Sequence, residues 1–283
     1  MFILTVLSLL VLVFMGVGLY MKSRMILNEH SLWDLLTNAD WKPLSEEFGF
    51  LPFIIGPLAV TALSILIALP ISLLSAIYLS EYAHSWTKRV IFPVLDILAG
   101  IPSVVFGVWG TLIIVPWIAD KLGPHFVEYT SGYTVLASGI VLGVMILPIL
   151  VSLFIEIFTI VPQDYRDAAA SLGATKWQIS TKVILRKSMP GIIAAVVLAI
   201  SKAFGETIAV LMVCGNYAEI PHSLFDSCYP LPALIANNYG EMLSLPLYES
   251  ALMFAAFILF FIILVFNLAS RMMLQHVEKK FKL

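Results

Sequence analysis

Charge is what this sequence most conspicuously lacks. Asp, Glu, Lys and Arg make up 12% of its 283 residues, while 60% are hydrophobic. A soluble domain carries about 25% charged and roughly 45–50% apolar residues. The shortage excludes an ordinary water-facing surface over most of the chain and indicates an integral membrane protein. A net charge of −2 leaves no basic excess for nucleic acid. Cysteine is scarce too: Cys214 and Cys228 stand alone, without C-x-x-C spacing, so the usual thiolate zinc and dithiol redox motifs are excluded. His30, His84, His125, His222 and His276 are scattered and form no H-E-x-x-H, so no metal site is expected. No G-x-x-x-x-G-K-[ST] occurs to cradle ATP phosphates, and no G-x-S-x-G surrounds a serine. Neither enzyme chemistry nor a cofactor is expected of this chain.

Long apolar runs are what it has instead. A helix needs about 20 residues to cross the hydrocarbon core. Six runs qualify: Phe2–Met21, Pro57–Ser80, Val90–Ile118, Tyr133–Phe154, Pro190–Cys214 and Ser250–Ser270. The predicted fold is an all-α integral membrane protein of six transmembrane helices. The first run is longer than the apolar core of a signal peptide, and Lys22 and Arg24 follow rather than precede it, so a retained helix is expected. The third contains Asp96 and is interrupted by Pro93, Gly100, Pro102, Gly107, Gly110 and Pro116. Broken backbone at that depth must be covered by protein or line a water-filled cavity. A bent packing helix and a pathway-lining broken helix both fit. In the fourth run, Gly139 and Gly143 form a G-x-x-x-G pair that lets helices approach closely, and Pro148 is expected to kink the helix.

Lys and Arg set the orientation. One set of loops and tails holds Lys88, Arg89, Arg166, Lys176, Lys182, Arg186, Lys187, Arg271, Lys279, Lys280 and Lys282. The opposite set holds only Lys22, Arg24, Lys42 and Lys121. Both termini are therefore expected in the cytoplasm. The outer segment 22–52 offers Trp33 and Trp41 as interfacial anchors. The outer segment 215–247 has no Lys or Arg but contains Pro221, Pro230, Pro232 and Pro246. Within it, "LPALIANNYGEM" (Leu231–Met242) reads either as a short amphipathic helix at a pore mouth or as an ordered loop. Cys214 and Cys228 fall on this oxidising side, and two free thiols are expected rather than a disulfide.

The stretch "DAAASLGATKWQ" (Asp167–Gln178) is small and polar between two apolar runs. Pro162 suits a first helical turn, and Asp164 and Asp167 favour a helix N-terminus. Ala168, Ala169 and Ala170 are strong helix formers with little bulk. Gly173 suits a left-handed C-cap, and Thr175 with Gln178 matches a capping box. The reading is helix, glycine corner, helix, with the alanine face shaped for close docking against another protein.

These residues carry a resemblance. Asp167-Ala168-Ala169, three residues, then Gly173 resembles the EAA–x3–G signature of ATP-binding-cassette importer permeases, with Asp167 where the family usually has Glu. The continuation Val183-Ile184-Leu185-Arg186 matches the family's I-x-L-P at Leu185, with Arg186 in place of the proline. "AGIPSVVFGVWG" (Ala99–Gly110), "GETIAVLMVCGN" (Gly205–Asn216) and "LIANNYGE" (Leu234–Glu241) are similar to the phosphate-importer permeases, nearer the type paired with a second, related permease. The resemblance covers roughly residues 50–283. It implies a type I importer permease in a prokaryotic plasma membrane, working with a second permease subunit, two cytoplasmic ATPase subunits and an external phosphate-binding protein. It places ATPase contact at Asp167, Ala168, Ala169 and Gly173. On this division, residues 1–52 hold an N-terminal helix and external segment, and residues 53–283 the permease core, with its cytoplasmic coupling segment at 158–189.

Inside the fifth run, Lys202 and Glu206 are four apart, which places them on one face of a continuous helix. Intramembrane charge costs a few kcal/mol and should face protein or water. The pair reads either as self-neutralising or as a cationic step for an oxyanion; Lys202, Glu206 and the neighbouring Thr207 are the candidate pathway residues. Lys202 stands where the family usually has Arg, so it lacks the planar fork that suits phosphate. Asp96 and Glu156 are expected near a membrane face. The rival class is an ion-coupled secondary transporter or channel, with Lys202 and Glu206 as its coupling site; such a protein has no use for a docking corner.

Overall fold

The computed structural model describes residues 2–240 and 245–281, with side chains described except at residues 2–6, 8, 9, 270 and 273–281. Among them, five helices are long and apolar enough to cross a membrane. These are α4 (Leu51–Tyr82), α6 (Ser103–His125), α7 (Val135–Thr159), α9 (Lys176–Phe204) and the apolar part, Pro246–Ala269, of α12 (Pro246–Phe281). A sixth apolar helix, α1 (Phe2–Lys22), lies against α12, with Tyr20 and Phe257 ring centroids 6.0 Å apart and a Lys22–Glu249 ion pair at 3.0 Å. The fold is the all-α bundle the apolar runs imply.

Helix α7 is the centre. Val141, Leu142, Ile146, Leu150 and Phe154 are all buried, and more than half of its most apolar stretch is covered by protein, against a third or less in the other four spans. The predicted glycine pair explains how α4 comes so close. A Cβ on Gly139 would sit 2.5 Å from Leu63 Cδ2, and one on Gly143 3.3 Å from the Ser64 carbonyl oxygen. Only a residue without a side chain fits at Gly139. Pro148 lies inside α7 and is buried.

The third apolar run is not one helix. Helix α5 (Ser85–Gly100) ends at Gly100, and the span proper begins at Ser103 and runs to His125. The cause is Pro102. It has no N–H, and it drives Ile101 out of the helical region, to φ −66° and ψ 129°. Helix α5 buries only Leu95 and leaves Val90, Val94 and Ile97 exposed.

A second hydrophobic cluster forms at one end of the bundle, where α4 begins and α12 begins. It joins α2 (Arg24–Glu29), α3 (Leu32–Thr37), a two-stranded antiparallel hairpin of β1 (Trp41–Lys42) and β2 (Glu47–Phe48), α11 (Leu231–Asn238) and the start of α12. Ile26, Leu35, Phe50, Phe53, Leu231 and Leu234 are buried there. Trp33 is 76% exposed, as an interfacial anchor would be. Trp41 is half-buried, its ring packed edge-on against Phe53 at 4.9 Å and Phe50 at 5.3 Å. The Leu231–Met242 stretch is helical only through Asn238, with Glu241 and Met242 outside the described residues.

Candidate functional site

The corner after α7 folds as its sequence dictates. Helix α8 (Gln163–Ser171) starts behind Pro162 and ends where Gly173 turns left-handed, at φ +80°. There the Gly173 N–H donates to the Ala170 carbonyl (2.9 Å) and the Ala174 N–H to the Ala169 carbonyl (3.1 Å). Both satisfy carbonyls the helix end would otherwise orphan. Next, the Gln178 N–H donates to Thr175 Oγ1 (3.3 Å) and the Thr175 N–H to Gln178 Oε1 (2.9 Å), a complete capping box that opens α9. Asp167, Ala168 and Gly173 are exposed, Ala169 is half-buried, and Leu172 beside them is 89% exposed.

Sequence reasoning missed what ties this corner to the membrane. Arg166 reaches from α8 to Glu81 at the end of α4, with Nη2 donating to Oε1 at 2.9 Å and Nε to Oε2 at 3.3 Å. The same guanidinium donates to the carbonyls of Phe158 and Val161 at the end of α7. Both side chains are only 15% exposed. One planar fork thus joins two spans to the corner, which an ammonium could not do with the same geometry. The 85-residue separation hid it.

The fifth apolar run is also broken, and here the structure corrects the expected helix Pro190–Cys214. Helix α9 ends at Phe204, Gly205 to Thr207 are non-helical, and a single turn, α10 (Ile208–Leu211), follows. Lys202 is exposed on the last turn of α9. Glu206 lies past the break, half-buried, and its Oε1 accepts from the Ala209 N–H at 3.3 Å. The two do not share a continuous helix face, and among the described residues no ion pair joins them. The reason is local. Glycine is a poor helix former, and the Glu206 carboxylate satisfies an N–H that a new helix end leaves free. Thr207 Oγ1 donates to the Gly205 carbonyl at 3.4 Å.

The freed carbonyls past α10 are also satisfied. Asn216 Nδ2 donates to the Leu211 carbonyl (2.9 Å), and Thr111 Oγ1 of α6 to the Met212 carbonyl (3.1 Å). The "GETIAVLMVCGN" stretch is therefore a discontinuous segment that follows the fifth span and packs against α6, which satisfies part of its irregular backbone. Cys214, near the end of this stretch, and Cys228, beyond it, are free, buried thiols, with the Cys228 N–H donating to the Cys214 carbonyl at 2.9 Å.

Asp96 and Glu156 are exposed, and both line a cavity of about 470 Å³ with Lys88, between the ends of α4 and α7 and helix α5. No local pattern in the chain announces that these three meet. No group of His, Cys, Asp and Glu among the described residues is placed to hold a metal ion.

A bundle of apolar spans with a short exposed helix between two of them and a broken helix beside it is the architecture of an integral membrane protein. The chain belongs to the family of binding-protein-dependent transport system inner membrane components, whose profile matches residues 68–283. It is 38% identical over 272 residues to the probable ABC transporter permease protein YqgH of Bacillus subtilis, covering 93% of this chain and 85% of that one. It is 34% identical over 262 residues to the phosphate transport system permease protein PstC of Pasteurella multocida, covering 88% and 81%. Its fold is similar to a chain of the MetNI methionine ABC transporter in inward-facing form, with a TM-score of 0.55, 17% identity, and 81% of this chain and 94% of that one covered.

Proposed function

We propose that this chain is the phosphate-conducting permease subunit of an ATP-driven importer. The reading draws on the curated relatives named as phosphate transport permeases, one of them 34% identical over 88% of this chain. The observation that carries the mechanism is the corner: an exposed helix and glycine turn, clamped by Arg166 to the ends of α4 and α7. An ATPase that moves this helix also moves two spans. Alternating access then follows from a rigid lever and needs no ATP site in this chain. A second, related permease subunit completes the path, two ATPase subunits meet Asp167, Ala168, Ala169 and Gly173, and an external binding protein delivers phosphate. The corner and both termini face the cytoplasm.

Lys202, Glu206 and Thr207 form the anion step of the pathway. An exposed ammonium at the end of one half-helix and a carboxylate held at the start of the next give adjacent but unpaired charges. Phosphate gains from Lys202, and Glu206 keeps its binding weak enough for release.

A photo-crosslinking residue at Leu172, in cells making the whole transporter, tests the corner. Capture of the ATPase subunit is expected. Labelling from the outer face, or no ATPase adduct in an assembled complex, would overturn the reading.

A further inference from the structure

At the membrane boundary, a cavity of about 320 Å³ lies between the end of α7, the first turn of α8 and the middle of α9. Ile157, Ile160, Val161 and Pro162 make its walls apolar. Gly191 closes one side; a Cβ there would meet Ile157 Cγ2 at 2.8 Å. Two polar groups in this setting are unexplained by packing. Lys187 holds its Nζ 4.8 Å from the centroid of the Tyr165 ring and belongs to none of the ion pairs among the described residues. Ser188 is 4% exposed, and its Oγ has no hydrogen-bond partner. A serine within a helix ordinarily bonds the carbonyl four residues back. This one makes no such bond; the residue is among those lining the cavity, with its Oγ buried in the wall.

The surroundings favour an anion with an apolar body. Lys182 and Arg186 are exposed near Lys187 in the sequence and also lie outside those ion pairs. No carboxylate lines this cavity: Glu81 binds Arg166, Asp167 accepts from Gln163, Glu156 lines the other cavity, and Asp164, exposed in the first turn of α8, is not among the lining residues. Ile160, 73% exposed, carries the apolar wall out to the surface. Walls of this kind reject a hydrated inorganic ion, and a neutral lipid would leave Lys187 uncompensated. Basic pockets between transmembrane helices at the headgroup level suit anionic lipid. We propose that this cavity binds one anionic phospholipid, with its phosphate on Lys187 and Ser188 and an acyl chain along Ile157, Ile160 and Val161. The proposal depends on the chain spanning the membrane, and not on what α8 meets.

The test uses the assembled transporter, stripped of lipid in mild detergent and given equal amounts of phosphatidylglycerol and phosphatidylcholine. Native mass spectrometry is expected to find phosphatidylglycerol retained in preference. Lys187→Gln should lower that retention about fivefold, the worth of one basic residue near a charged lipid surface, and Lys187→Arg should keep it. Millimolar inorganic phosphate should not displace the lipid. A photoactivatable phosphatidylglycerol on the wild-type complex should mark peptides holding Ile157–Val161 and Ser188–Gly191, a readout that needs no variant to fold. Equal retention of the two lipids, unchanged retention in Lys187→Gln, displacement by inorganic phosphate, or adducts only elsewhere would each overturn the proposal.

Discussion

Gly173 carries a conformation that few other residues accept. Its φ of +80° is left-handed, and a Cβ there would meet nothing within 4 Å. Gly173→Val therefore costs backbone strain alone, about 1–3 kcal/mol, with no clash to spread the damage. We expect transport to fall at least tenfold while the transporter still assembles; uptake and co-purification of the ATPase in one preparation check this. Lys202 and Glu206 call for a different comparison. Lys202→Ala should abolish uptake and spare assembly. The double variant Lys202→Met/Glu206→Met should assemble and stay inactive if the two form a pathway step. Near-normal uptake by the double variant would remove both from the pathway, leaving Glu206 only the bond it accepts from the Ala209 N–H. Cys214 and Cys228 are each 0% exposed. An impermeant maleimide should therefore label neither in the native protein and both after denaturation, and a non-reduced digest should contain no peptide joining them.

At the scale of elements, the clamp between α8 and the ends of α4 and α7 outranks any single contact in the corner. Breaking a mostly buried charge pair costs about 3–5 kcal/mol, because one charge is left without its partner. Arg166→Ala and Glu81→Gln should therefore both loosen α8. ATP hydrolysis should persist while uptake per ATP falls several-fold, which a paired ATPase and transport assay reads directly. The corner itself was legible in sequence because its signals are local: a glycine turn and a capping box act within a few residues of each other. The clamp was not, because a salt bridge across 85 residues leaves no local pattern. The break after Phe204 shows the limit from the other side. Spacing alone set Lys202 and Glu206 on one helix face, but Gly205 and the bond from the Ala209 N–H to Glu206 end that helix between them. Likewise Pro102 divided an apolar run that length alone reads as one span, whereas Gly139 and Gly143 announced the α4–α7 contact correctly.

Over the whole molecule, two cores divide the work. One is built around α7, and the other joins the 22–52 segment to α11, the start of α4 and the first turns of α12. Apolar length made the first legible; the second depends on pairings between distant segments, such as Trp41 with Phe53 and Tyr248. Charge asymmetry in the loops predicts cytoplasmic termini and a cytoplasmic corner. A single cysteine at Lys176, in a background without Cys214 and Cys228, should resist impermeant thiol reagents in intact cells and react once the membrane is opened. ATP-driven conduction of phosphate is read out by the accumulation of labelled phosphate. Proteoliposomes should hold this chain with its companion permease and ATPase subunits, with the binding protein added at the outer face. Accumulation should require both ATP and binding protein and survive an ionophore that collapses ion gradients. Accumulation driven by an imposed ion gradient without ATP would contradict ATP-driven conduction.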